Sequence, residues 1–122
     1  MNFLGHHHFC HTDCQTPQRL NELVHSVEQI KRVTPLFNAL ADKTRVKIIY
    51  ALLLKPDLCV YEIAQLTDLT ISAASHHLRL LKSMGLARSS KEGKLVRYNL
   101  YDKHVKIILE KALDHSNHLP TF

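Results

Sequence analysis

Four side chains near the end of the chain have the types and spacing of a metal site: Asp102, His104, His115 and His118. One carboxylate and three neutral imidazoles form a closed N/O donor set that suits tetrahedral Zn²⁺, with Zn–N distances of about 2.0–2.1 Å. His115 and His118 stand at i and i+3, so on a helix they leave the same face and can share an ion. Asp102 and His104 stand at i and i+2 and diverge inside a helix, but they converge if Asp102 is its non-helical N-cap. From His104 to His115 a helix climbs roughly 17 Å, at about 1.5 Å per residue. One straight helix therefore cannot bring both pairs to one ion. Two copies packed antiparallel can: Asp102 and His104 of one chain meet His115 and His118 of the other, giving two symmetric sites in a homodimer. A closed set favours a structural or sensing role, because catalysis keeps a ligand position open. The competing reading is a polar surface helix rich in histidine.

A second donor set is softer. Cys10 and Cys14, with His11 between them, could fold over Cys59, and a fourth ligand could come from Glu62, His11 or the run His6, His7, His8. Three thiolates would favour Cd²⁺ or Pb²⁺, with Zn²⁺ also accommodated. The alternative is that Cys59 is a small buried hydrophobe and the arm has no order. The same three thiols could also serve a redox sensor. An odd cysteine count in a chain without a secretory leader argues against a disulfide framework.

The elements that must position these groups read as follows. Residues 1–17 carry no periodicity and are expected to be a flexible Cys/His-rich arm, with His6–His8 resembling an expression remnant. Leu20, Leu23, Val27, Ile30 and Val33 recur at helical spacing from about Gln18 to Asn38, and Pro35 should end or kink that helix. Asp42 is a plausible N-cap for a second helix running to Lys55, stopped by Pro56. A short helix from Val60 to Leu66, the turn Thr67-Asp68-Leu69-Thr70 and a helix from Ser72 to Met84 closed by Gly85 make a helix-turn-helix. LARSS and LVRYNL flank Lys91-Glu92-Gly93-Lys94 and read as a β-hairpin. Asp102 to about Asn117 closes the order as a helix. The fold class is mostly α with a β-hairpin wing: a homodimeric winged helix-turn-helix with added N- and C-terminal dimerisation helices. It occupies residues 18–118, followed by a short tail, 119–122.

In ISAASHHLRLLKSM, the residues Ile71, Ala74, Leu78 and Leu81 form the inward stripe. Ser72, Ala73, Ser75, His76, Arg79 and Lys82 are left to the other side. Small and polar residues in the first turn let a recognition helix sink into a major groove about 12 Å wide and reach base edges. Arg79 and Lys82 lie further along, where phosphates would be. The hairpin carries Arg88, Lys91, Lys94 and Arg97, a basic tip able to clamp the neighbouring backbone. Taken alone, the helix could be an ordinary solvated amphipathic one; the preceding turn and the basic hairpin favour DNA.

Composition sets the outer limits. In 122 residues, 45% are hydrophobic and 7% aromatic, enough for one aliphatic core. The longest apolar run, Ile48 to Leu54, is too short to span a bilayer, so no membrane partner is expected and the expected location is the cytoplasm. A net charge of +5 suits double-stranded DNA as a partner. No activated nucleophile and no vacant ligand position is visible, so neither enzymatic activity nor a small organic substrate is expected.

From about Arg32 to His118 the chain resembles the ArsR/SmtB metalloregulators. The likeness rests on ALADKTRVKIIYALL, DLCVYEIAQ, SAASHHLRLLKSMGL, the hairpin ending VRYNL, and DKHVKIILEKALDHSNH. It implies Asp102, His104, His115 and His118 as an inter-subunit zinc site on the last helix. It also implies a repressor that holds operator DNA when metal-free and leaves it when Zn²⁺ binds, with Cd²⁺, Pb²⁺ or Co²⁺ as other ions. The controlled genes would encode metal export or sequestration. The thiolate match is partial. Cys10 and Cys14 have the Cys-x-x-x-Cys spacing of cadmium- and lead-sensing members and Cys59 is kept, but Tyr61 stands where a second helix cysteine is expected. Glu62 occupies a position where zinc-binding relatives carry an acidic ligand.

Overall fold

Side-chain caps at Thr16, Asp42, Thr70 and Asp102 open four of the helices. In a computed structural model that describes residues 16–117, the chain divides into two compact units, one ending at Asn38 and one beginning at Ala39. The first unit opens with α1 (Pro17–Glu28), where Thr16 accepts from the Arg19 N–H and Pro17 takes the first helical position, which needs no donor. Helical periodicity continues past α1, but the backbone tightens to a 3₁₀ turn over Gln29–Val33 before α2 (Thr34–Leu40) starts. Pro35 therefore sits in the first turn of a new helix instead of ending an old one, a position where its missing N–H costs nothing. The apolar stripe of this unit is bare: Leu23, Val27 and Ile30 are all more than half exposed.

The second unit begins with α3 (Lys43–Leu54), capped by Asp42, whose Oδ1 accepts from the Arg45 N–H at 2.9 Å. That backbone donor, more than the nearby guanidinium, holds the Asp42 carboxyl below the usual aspartate range. Lys55 and Pro56 end the helix as expected. Asp57 then turns the chain with a left-handed φ of 65° into β1 (Leu58–Cys59), a two-residue strand without a periodic signal of its own. The helix-turn-helix follows as α4 (Val60–Thr67) and α5 (Ile71–Ser83). Asp68, at φ 56°, closes α4 in the left-handed conformation, and Thr70 caps α5 by accepting from the Ala73 N–H at 3.0 Å.

Gly85 at φ 76° ends α5 and directs the chain into β2 (Ala87–Glu92) and β3 (Leu95–Leu100). Lys91 and Glu92, expected in the turn, belong to the strand. Glu92 pairs with Leu95, so the loop is only Gly93-Lys94, with Gly93 at φ 60° as tight hairpins require. The sheet order is β1-β3-β2, all antiparallel. Finally α6 (Lys103–Ser116) starts at the N-cap Asp102. The core of this unit is aliphatic: Ile48, Ile49 and Leu52 of α3, Ile63 of α4, Leu78 and Leu81 of α5, and Val105 of α6 are all essentially inaccessible. No helix among the described residues is long and apolar enough to cross a membrane.

At the head of α4, Cys59 occupies the N-cap and Glu62 folds back so that its Oε1 accepts from the Cys59 N–H at 3.1 Å. This backbone donor, then the thiol of Cys59, keeps the Glu62 carboxyl below the ordinary glutamate range, with Arg97 adding to the same effect.

Two outcomes follow. Gly85→Ala places a Cβ that would meet no atom within 4 Å, so its cost is purely conformational; urea unfolding should show a loss of about 1–2 kcal/mol. Glu62 is charged in the fold at a pH where the unfolded chain is already taking up its proton. Its stabilisation is therefore present above the ordinary value of about 4.3 and lost as pH falls through the lower folded value. Glu62→Gln keeps an acceptor but cannot titrate, so its Tm deficit against wild type should shrink as pH falls below about 4.3. A deficit that stays constant with pH contradicts this assignment.

Candidate nucleic-acid and metal sites

The outward side of α5 is polar along its length. Ser72, His76, Arg79 and Lys82 are exposed, while Ala73 and Ser75 are half-buried at its edge. Burial on the inner side runs through Ala74, Leu78 and Leu81, each with no accessible surface. Ile71, expected to head that stripe, is instead 56% exposed. It occupies the first helical position, next to the cap Thr70 and about one turn before Ala74, where the packed face begins. An apolar side chain at the entry of the helix is thus available alongside Ser72 and Ser75, and the helical period had concealed it.

Two contacts tie this helix to the hairpin and the hairpin to α6. Lys82 Nζ donates to Ser89 Oγ on β2 at 2.6 Å. The Tyr101 N–H, just beyond β3, donates to the Leu86 carbonyl just beyond α5 at 2.9 Å. On the hairpin, Lys91 and Lys94 are exposed. The Arg88 guanidinium lies over the Tyr101 ring, 3.4 Å from its centroid, a cation–π contact that holds it at the base of the hairpin. Arg97 differs from its basic neighbours: it is only 27% exposed and faces Asp57, Glu62 and Glu92.

At the head of α6, Asp102 is the N-cap and stands outside the helix. Asp102 is extended, at φ −85° and ψ 112°, and its Oδ1 accepts from the His104 N–H at 2.8 Å. One carboxylate oxygen is thereby pinned beside the His104 backbone. His104 is exposed, and so is His115 in the last turn of α6. Among the described residues neither imidazole has an ion pair, which leaves them available as ligands. This donor set, one carboxylate and exposed imidazoles, fits Zn²⁺ or Co²⁺ in its chemistry. Among the described residues no three His, Cys, Asp or Glu side chains of the chain converge on one point. His118 lies outside the described residues.

Of the softer set, Cys59 is a free thiol and buried, at 7% exposure. Glu62 is next to it but already occupied with the Cys59 N–H and Arg97. Cys10, Cys14, His11 and His6–His8 lie outside the described residues.

Known proteins place this arrangement in a family. The family model described as the arsR family of bacterial regulatory proteins matches residues 42–89, which hold α3, the helix-turn-helix and the start of the hairpin. The chain is 53% identical, over 68% of its length and 69% of the relative's, to a Staphylococcus aureus protein named cadmium resistance transcriptional regulatory protein CadC homolog. It is 36% identical, over 75% of its length and 69% of the relative's, to the transcriptional repressor SmtB homolog of Synechocystis. Among solved structures it is similar to the cadmium metal-sensor CMTR of Mycobacterium tuberculosis, with 36% identity and a TM-score of 0.56 over 70% of this chain and 88% of that one. The first two relatives are named as regulators of transcription. The helix-turn-helix, the hairpin and these similarities together show that the chain belongs to the ArsR/SmtB family of winged helix-turn-helix repressors.

Proposed function

We propose that this chain is a metal-responsive repressor that works as a homodimer, holds operator DNA when metal-free and releases it when a divalent ion, Zn²⁺ foremost, binds at Asp102, His104, His115 and His118. The observation that carries this reading is the N-cap geometry of Asp102, which sets a carboxylate beside His104 at one end of α6 while His115 stands at the other. The bare apolar residues Leu23, Val27 and Ile30 of the first unit, and Ile107 and Leu113 of α6, are surface that a second copy would cover. Names such as cadmium resistance regulator among its relatives suit a role in controlling metal efflux or resistance genes.

On DNA, α5 enters the major groove, with Ser72, Ala73, Ser75 and His76 near base edges and Ile71 offering apolar contact of the kind a thymine methyl accepts. Arg79, Lys82, Lys91 and Lys94 neutralise phosphates. When bound, the ion supplies a cross-link between donors of the two chains. Asp102 and His104 hold the head of α6, and the adjoining Tyr101–Leu86 hydrogen bond ties that head to the end of the recognition helix. A constraint on α6 is thus felt where α5 is aimed, and the form with mismatched half-site spacing is favoured. Coupling of about 1–3 kcal/mol per ligand is typical, so two sites suffice for release. Cys59, with Cys10 and Cys14, remains the candidate site for Cd²⁺ or Pb²⁺. A thiol-redox repressor on the same scaffold is the second reading; the burial of Cys59 weighs against it, and release that depends on oxidant but ignores chelators would favour it.

Fluorescence anisotropy on a duplex selected from random sequence by the metal-free protein tests the main reading. Zn²⁺ should weaken binding by about tenfold or more, on the scale of the coupling expected for such sites. His104→Ala and His115→Ala should keep metal-free affinity and lose the zinc response. Unchanged or tighter binding with zinc overturns release as the mechanism.

A further inference from the structure

Arg97 gathers acids from three separate segments. Its Nη1 donates to the Asp57 carbonyl at 3.0 Å and lies 3.8 Å from Glu62 Oε1. Its Nε lies 3.6 Å from Glu92 Oε2 and 4.0 Å from Asp57 Oδ2. Asp57 belongs to the turn before β1, Glu62 to the first turn of α4, and Glu92 to the end of β2 beside the hairpin loop. Ser90 is the residue paired with Arg97 across the hairpin, so Glu92, two residues on, shares the face of Arg97 toward the tip.

Asn99, two residues along β3, completes the clamp on Asp57. The Asp57 N–H donates to Asn99 Oδ1 at 2.7 Å, and Asn99 Nδ2 donates to Asp57 Oδ1 at 3.3 Å. The left-handed backbone of Asp57 is thus held by two β3 side chains. The Glu62 oxygen that faces Arg97 is also the one that caps the Cys59 N–H. One guanidinium therefore links the head of the helix-turn-helix to the tip of the hairpin.

The tip needs such a link. β1 pairs with β3 only at Tyr98 and Arg97, so residues 91–96 extend beyond the third strand as a bare two-stranded ribbon. A ribbon of that kind is only marginally stable in water. Beyond its own ladder, the Lys82–Ser89 hydrogen bond joins its base to α5, and Arg97, paired with Glu92 on the ribbon, reaches Asp57 and Glu62 at the head of α4. Lys91 and Lys94 ride on this tip, and their use depends on where it points.

We propose that Arg97 is a positioning residue that aims the wing, with its guanidinium hydrogen-bonded to the Asp57 carbonyl and ion-paired with Asp57, Glu62 and Glu92, and not a phosphate contact like Lys91 and Lys94. The proposal rests on the reading of the hairpin as a DNA-contacting wing. It makes Glu92 favourable for DNA binding even though its charge repels phosphate.

Affinity for the selected duplex, measured against salt concentration with full-length metal-free protein, separates the roles. A residue that neutralises a phosphate contributes about 0.9 to the slope of log K against log salt. Lys91→Ala and Lys94→Ala should each weaken binding and flatten the slope by about that amount. Arg97→Gln should weaken binding by about twofold to fivefold, a loss within the span of small ion-pair effects, with the slope unchanged. Glu92→Gln, on a side chain 69% exposed and so benign to folding, should also weaken binding, against the sign expected from removing a negative charge. The double variant Arg97→Gln/Glu92→Gln should be no weaker than Arg97→Gln alone. A flatter slope for Arg97→Gln, or tighter binding by Glu92→Gln, overturns the proposal. If instead neither lysine variant moves the slope, the wing reading itself fails, a result distinguishable from failure of the Arg97 assignment.

Discussion

The rise of an α-helix is the constraint on which this account of the molecule turns. Its final helix sets Asp102 and His104 at one end and His115 at the other, about 17 Å apart along the axis at about 1.5 Å per residue. A tetrahedral ion spans only about 2 Å to each ligand. No rotamer of an aspartate or histidine closes that gap, so a shared ion requires a second chain. Oligomeric state, metal response and DNA release become one question instead of three. The apolar residues left bare on both units are consistent with that demand, since a chain meant to stay alone would have reason to cover them.

Within one chain, the route from the candidate metal donors to the candidate DNA-reading residues is short and made of hydrogen bonds to backbone groups. Asp102 caps α6 through the His104 N–H; the neighbouring Tyr101 N–H bonds the Leu86 carbonyl; the Leu86 N–H bonds the Leu81 carbonyl inside α5. Each link is a hydrogen bond that closes a helix end or a strand end, so the same contacts that define the fold also connect the two candidate sites. Side-chain bridges, Lys82 to Ser89 and Arg97 to Asp57 and Glu62, then join the hairpin to this frame.

Much of this could be read directly from local chemistry. Asp42 as a cap, Pro56 as a stop, Gly85 as a left-handed terminus and Gly93 in the hairpin loop all act within a few residues of themselves, and the helix-turn-helix and wing follow from them. What escaped was nonlocal or too short to carry a period. β1 has two residues and exists only because Leu58 and Cys59 find Tyr98 and Arg97 some forty positions away. The 3₁₀ turn at Gln29–Val33 keeps apolar spacing close enough to α-helical to pass for it. Ile71 obeys the stripe's period yet lies one turn before the packing starts. Arg97 reads as one more basic residue on a basic hairpin until Asp57 and Glu62 arrive beside it from distant sequence. Of the candidate metal site, donor identity and spacing were legible; the shared geometry depends on a second chain that no local rule describes.

Complementation between two defective chains tests the shared site most directly. One chain carries Asp102→Ala and His104→Ala, the other His115→Ala and His118→Ala, and zinc bound per dimer is measured after the subunits are exchanged. Neither parent should hold zinc at this site, while mixed dimers should regain one intact site, half the wild-type complement, because each mixed dimer has one complete set of four donors across its two-fold axis. Mixed dimers that regain nothing, or a parent that keeps its full zinc, would contradict a site built from both chains.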